Sequence, residues 1–123
     1  GRHETQDHVR DARRAGIDIV QVSPVRDDFI DEVDVDWIAP RPNTDTALML
    51  GLAHTLVAEN LHDRDFLNRY CEGYEKFEPY LLGDTDGVVK NADWAAAITG
   101  IDADRLRKYL MKFGLSFDEV RAA

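Results

Sequence analysis

The 123 residues predict an α/β fold, with a short parallel sheet near the start and a mainly helical C-terminal half. Three observations carry that expectation. The run Ile17-Asp18-Ile19-Val20-Gln21-Val22 holds four β-branched residues between Gly16 and Pro24, which is strand composition. A second, shorter apolar run over residues 35–39 closes on Pro40-Arg41-Pro42. Every later segment has helical spacing, with capping residues in front and glycines behind. The order helix, strand, crossover, strand, long helix, then helices only is that of an α/β start with a helical remainder.

Residues 5–15 read as a polar amphipathic helix with Val9, Ala12 and Ala15 inward, ended by Gly16 just past the cap. The strand over residues 17–22 is expected to be interior and parallel. Residues 26–33 form a helical or irregular crossover, leading to the strand over 35–39. From Thr44 a helix runs to about residue 60. Its Ala47, Leu48, Leu50, Leu52, Ala53, Leu56 and Val57 fall on more than one side, so burial of most of it is expected. Gly51 inside this helix costs about 1 kcal/mol relative to alanine, which points to close packing there.

Asp63 is placed to cap a short helix through Tyr70. Tyr74, Phe77, Tyr80 and Leu81 recur near helical spacing, and Pro79 is expected to interrupt them. Residues 83–87 read as a turn. Asn91 or Ala92 opens a helix containing Trp94, Ala95 and Ile98 that ends at Gly100. Asp102 caps another with Leu106, Tyr109 and Leu110, and Ser116 with Glu119 has capping-box spacing for a last, short one. Two strands are too few for a stable open sheet and leave an edge unpaired, so polypeptide outside these residues is expected to complete it. Gly1 stands where a starting methionine would, and an upstream start is expected as well.

Composition narrows the function classes. Hydrophobic residues make up 44% and charged residues 32%, an ordinary globular mixture. A formal net charge of −9 at pH 7 would repel phosphate backbones and anionic lipid, so neither nucleic acid nor a membrane surface is an expected partner. Arg10, Arg13 and Arg14 read as a solvated helix face. The single cysteine, Cys71, excludes an internal disulfide framework and a multi-cysteine metal site, and it is expected to be a small buried residue rather than a nucleophile. The four histidines lack ligand spacing, so no metal site is expected. No glycine-rich phosphate loop occurs.

Two segments could meet a ligand, because open α/β sheets bind beyond the carboxyl ends of their strands. Ser23-Pro24-Val25-Arg26 follows the first strand. A hydroxyl and neighbouring amides there suit ribose or phosphate, and Arg26 suits phosphate; a plain proline turn explains the same residues. Pro40-Arg41-Pro42-Asn43-Thr44-Asp45 joins the second strand to the long helix. Free N–H groups at a helix start favour polar ligand edges, and both oxygens of Asp45 could accept from a guanine edge. Capping by Asn43 or Thr44, with Asp45 favoured by the helix dipole, explains the same residues, and both roles can coexist.

At these segments the sequence resembles the dimethyl sulfoxide reductase family of molybdopterin oxidoreductases, in its S-oxide and N-oxide reductase branch. The carrying residues are Gly1-Arg2-His3-Glu4-Thr5, Ile17 to Asp27, Asp36-Trp37-Ile38-Ala39-Pro40-Arg41-Pro42-Asn43-Thr44-Asp45 and Ala47-Leu48-Met49-Leu50-Gly51-Leu52-Ala53-His54-Thr55-Leu56. The likeness continues through Leu61-His62-Asp63-Arg64-Asp65-Phe66-Leu67, Tyr80-Leu81-Leu82-Gly83, Asp86-Gly87 and Trp94-Ala95-Ala96 with Gly100-Ile101, while the tail after Tyr109 departs from it.

The resemblance implies a partial doubly wound (Rossmann-like) domain, with residues 1–123 a single piece of the part that holds molybdopterin guanine dinucleotide. It implies a parent enzyme with molybdenum on two such dinucleotides, moving an oxygen atom between substrate and water. By position, Ser23, Pro24 and Arg26 would lie by ribose and phosphates. Pro42 and Thr44 would lie at the guanosine end, with Asp45 on the guanine edge. His3 and Glu4 would sit in a loop. The metal-ligating side chain and substrate pocket would lie elsewhere, so no residue here is assigned to oxygen transfer, and the piece is expected to be inactive and cofactor-free alone. Its expected partner is the remainder of the parent. A competing expectation is a freestanding interaction module that dimerises through its sheet edge.

Overall fold

The computed structural model describes residues 2–26, 33 and 35–111. The expected helix at Ser116–Glu119 and most of the expected crossover lie outside them. The chain divides into two compact units, Gly1–Pro42 and Asn43–Ala123.

The first unit contains α1 (Arg2–Arg14), β1 (Val20–Val22) and β2 (Asp36–Ile38). Helix α1 starts ahead of its expected first residue, so His3 and Glu4 belong to its first turn and not to a loop. Acidic Glu4 suits the positive end of the helix dipole. At the other end Gly16 N–H donates to the Arg13 carbonyl at 3.0 Å, and Ile17 N–H to the Ala12 carbonyl at 3.1 Å. Gly16 takes φ +85, and a Cβ there would meet nothing within 4 Å, so its dihedral alone asks for glycine.

This closing motif explains why the first strand is shorter than its composition predicts. Ile17 gives its N–H to the helix end, and its carbonyl accepts from Arg13 Nη1 at 3.4 Å. Pairing starts only beyond it. Strands β1 and β2 run parallel, with Val20 opposite Asp36, Gln21 opposite Trp37 and Val22 opposite Ile38. Bonds from Asp36 N–H to the Ile19 carbonyl and from Ser23 N–H to the Ile38 carbonyl, both 3.1 Å, extend the ladder at each end. The parallel pairing that was expected is present. The interior position is not found among the described residues: β2 is the one strand beside β1, and Val22 is 52% exposed.

The second unit holds α2 (Asp45–Ala58), α3 (Arg64–Tyr70), α4 (Tyr74–Leu82), α5 (Ala92–Thr99) and a helical stretch over residues 103–111, α6. Burial on α2 is a stripe, Ala47, Leu48, Gly51 and Thr55, while Met49 is 64% exposed and Leu50, Leu52, Ala53, Leu56 and Val57 are half-buried. Helix α2 packs on α5 at Gly51, where a Cβ would lie 2.4 Å from the Ala95 Cβ. The close packing that Gly51 signalled is present. Two buried threonines on these helices donate to their own backbones, Thr55 to the Gly51 carbonyl at 3.1 Å and Thr99 to the Ala95 carbonyl at 2.8 Å. Leu81, Ile101, Leu106 and Leu110 complete the buried core.

Local signals place the remaining helices. Asp63 Oδ1 accepts from Phe66 N–H at 3.0 Å and opens α3; Asn91 Oδ1 accepts from Trp94 N–H at 2.9 Å and opens α5. Asp102 does the same for α6 through Arg105 N–H at 3.1 Å. Gly83 and Gly100, at φ +87 and +76, end α4 and α5. Pro79 does not interrupt α4 as expected. It lies within the helix, where a missing N–H and a ring clash cost about 3 kcal/mol. Buried Tyr74 and Leu81 on either side of it hold the helix together across the proline. Cys71, expected to be buried, is exposed at the C-cap of α3, because that helix buries none of its residues.

Candidate functional site

In the first unit, parallel pairing makes the chain leave β1 and β2 at the same end of the sheet, at Ser23 and Ala39. Ser23 is buried and Pro24, Val25 and Arg26 are exposed. The serine is held at three points. Its N–H donates to the Ile38 carbonyl, its carbonyl accepts from Trp37 Nε1 at 2.9 Å, and its hydroxyl oxygen accepts from Val25 N–H at 3.2 Å. The last bond closes a small serine turn that sets where Pro24 and Arg26 go. Ser23 therefore shapes the corner, and the exposed Arg26 carries its charge.

The other expected segment opens with buried Pro40, followed by exposed Arg41 and Pro42. In the second unit Asn43 takes φ +63, and Thr44 is the N-cap of α2 through its carbonyl, which accepts from Leu48 N–H at 3.1 Å. The Thr44 side chain makes no cap hydrogen bond. Side-chain capping by Asn43 or Thr44 is therefore not how this helix opens, since a left-handed Asn43 stands outside the cap position and the threonine supplies only its backbone. Asp45 is the first helical residue and is exposed, in the first turn at the positive end of α2.

Other polar features lie apart from these segments. A polar cleft of about 180 Å³, lined by Arg13, Asp18, Ile19 and Asp36, sits at the amino ends of the two strands, away from Ser23. Arg13 and Asp18 pair across it at 3.5 Å. In the second unit, Lys90 is 2% exposed, bound to both oxygens of Asp86 and 4.0 Å from the centre of the Tyr80 ring. The lysine holds the Asp86 carboxyl below the usual aspartate range, helped by Val88 N–H. Burial lowers the pKa of His54 on α2. Burial, and then the Glu78 carboxylate beside it, raises that of Tyr74, whose hydroxyl finds no well-directed hydrogen bond. Among the described residues, no three His, Cys, Asp or Glu side chains gather as they would round a metal ion. No helix of the described residues is long and apolar enough to cross a membrane.

Sequence reasoning did not find Trp37 as the partner of Ser23 or Lys90 as a buried cation. Trp37 was not readable, because its contact depends on strand register.

The molybdopterin oxidoreductase family model matches residues 4–117. A dimethyl sulfoxide/trimethylamine N-oxide reductase of Rhodobacter capsulatus is 43% identical over 98 residues, 80% of this chain. The chain belongs to the dimethyl sulfoxide reductase family of molybdopterin oxidoreductases. Within that family it is also similar to biotin sulfoxide reductase of Cereibacter sphaeroides, at 44% identity over 87% of this chain and 14% of that one. Trimethylamine-N-oxide reductase 1 of Escherichia coli K12 is 47% identical over 74% of this chain and 11% of its own length. A solved structure, acetylene hydratase from Pelobacter acetylenicus, superposes with a TM-score of 0.66 at 29% identity, covering 82% of this chain and 13% of that one. The match with the Rhodobacter reductase spans only 12% of that protein's length. The expected family and α/β class both hold for this molybdopterin oxidoreductase chain.

Proposed function

We propose that the chain is part of a molybdenum-dependent S-oxide or N-oxide reductase, where it supplies part of a molybdopterin guanine dinucleotide site and takes no part in oxygen transfer. The observation that carries this is the Ser23 corner: a buried, three-point-held serine at the carboxyl end of two parallel strands, followed by an exposed arginine. Ser23, Pro24 and Arg26 meet ribose and phosphates. Pro42, Thr44 and Asp45 belong to the guanosine end, with Asp45 accepting from the guanine N–H edge. The donor set fits: a guanidinium for phosphate and an exposed carboxylate for paired N–H donors. When bound, the molybdenum group supplies the oxygen-transfer chemistry. The chain's own residues bind and orient it, and the remainder of the parent enzyme is their partner.

Guanosine diphosphate is the probe. Titrated into the isotope-labelled chain, it should shift the amide resonances of Ser23 and Asp45, with weak affinity. A partial site leaves much of the ligand in water, while association still costs several kcal/mol of rigid-body freedom. Asp45→Asn should lower affinity by about tenfold, since one charge-assisted pair of hydrogen bonds is lost. Unchanged affinity would leave Asp45 to the helix dipole alone, and nanomolar binding would contradict the partial site.

The exposed Val22 and Ile17 beside the outer edge of β1 favour a second reading, a freestanding module that dimerises by strand pairing. Absence of any shift at millimolar nucleotide, together with a stable dimer, selects that reading instead.

A further inference from the structure

We propose that Trp37 is a positioning residue for the phosphate-binding corner at Ser23, an inference that rests on the dinucleotide reading above. Trp37 lies in the middle of β2, opposite Gln21, and its indole N–H reaches the Ser23 carbonyl at 2.9 Å. That carbonyl is where the chain leaves β1. Left without this donor, its partial negative charge would stand beside any anionic group brought to the corner. The indole N–H meets it instead. It also adds to the bonds that fix Ser23, beside the Ile38 carbonyl on the N–H and Val25 on the hydroxyl oxygen. The serine turn is thus formed before a ligand arrives, and less freedom is lost on binding.

The chemistry makes the effect selective. A corner that meets phosphate matters to guanosine diphosphate and not to guanosine, so loss of the indole N–H should weaken binding of the first and spare the second. A generally loosened fold would not discriminate between them.

The test compares the chain with Trp37→Phe, which keeps a ring and removes the donor. Without ligand, hydrogen exchange at the Val25 amide should speed up by about 3- to 10-fold, the usual worth of one neutral hydrogen bond. Affinity for guanosine diphosphate should fall by a similar factor while affinity for guanosine stays the same. In the unsubstituted chain the Trp37 indole N–H resonance should move with the nucleotide, with the same midpoint as the Ser23 amide. Equal losses for both ligands, unchanged nucleotide affinity, or an unmoved indole resonance would each overturn the proposal; the last of these needs no variant to fold. If the unsubstituted chain shows no nucleotide response while Trp37→Phe still loosens Val25, the dinucleotide reading has failed and Trp37 is a strut of the sheet alone.

Discussion

Replacing Gly51 by alanine tests the α2–α5 contact directly. The added Cβ would lie 2.4 Å from the Ala95 Cβ and 3.5 Å from the Asn91 carbonyl oxygen. Carbon atoms in good contact sit roughly 3.5–4.0 Å apart, so the two helices must separate by on the order of 1 Å. Ala92, Ala95 and Thr99 on α5 and Thr55 on α2 are all buried, and separation would open gaps round each of them. Overpacking costs about 1–3 kcal/mol, and an overlap this deep between two backbone-fixed methyl groups belongs at the upper end. Alanine returns about 1 kcal/mol through helix propensity. The net expectation is a loss of about 2 kcal/mol, which lowers the melting midpoint by roughly 10 °C. Thermal and urea unfolding followed by far-ultraviolet circular dichroism give the measurement. Ala95→Gly should destabilise the parent chain by about 1 kcal/mol through propensity alone, yet restore stability when combined with Gly51→Ala. A Gly51→Ala chain as stable as its parent, or additive behaviour in the double variant, would refute the reasoning.

Three further substitutions probe a helix cap and a buried ion pair. Asp63→Ala removes the acceptor for Phe66 N–H and should cost about 1 kcal/mol, seen as faster amide exchange within α3 and little change in α5. The Asp86–Lys90 pair predicts a pH dependence. Asp86 has a folded-state pKa below its unfolded value, so its contribution is complete above the ordinary aspartate range and is lost as pH falls through the lower, folded value. Acid titration of stability should show that loss in the parent chain, and Lys90→Met should flatten it. At neutral pH, Asp86→Ala should be the more damaging change, because it strands a buried ammonium, whereas Lys90→Met leaves a carboxylate that water can reach. The opposite ranking in urea midpoints would show that Lys90 is not held by this pair.

What the sequence disclosed was whatever is decided within one turn of chain. Asp63, Asn91 and Asp102 each accept from the N–H three residues on, and Gly16, Gly83 and Gly100 each supply a left-handed dihedral. Neither depends on the rest of the fold, so spacing alone finds them. Gly51 was legible for a related reason, since a glycine in a helix needs a neighbour to justify it. The misses share the opposite property. Strand length at Ile17 was settled by competition from the preceding helix end, and continuity at Pro79 by burial of Tyr74 and Leu81. The exposure of Cys71 followed from α3 burying none of its residues. At the candidate site, position along the chain picked out Ser23, Arg26 and Asp45, but the bond from Trp37 to Ser23 needs the register of two strands. The left-handed Asn43, which moves capping away from side chains, likewise follows from how the loop joins α2.

Helix α3 buries none of its residues. A seven-residue helix does not persist in water by propensity, and here its support is an N-terminal carboxylate, an ion pair from Arg64 to Glu78 at 2.7 Å and the tilted rings of Phe66 and Tyr70, 5.1 Å apart. Such an element can unwind and re-form without taking the α2–α5 layer with it, so it belongs to the low end of the local stability range. Melting curves that report global unfolding will therefore pass over it, and its coming and going is visible only residue by residue.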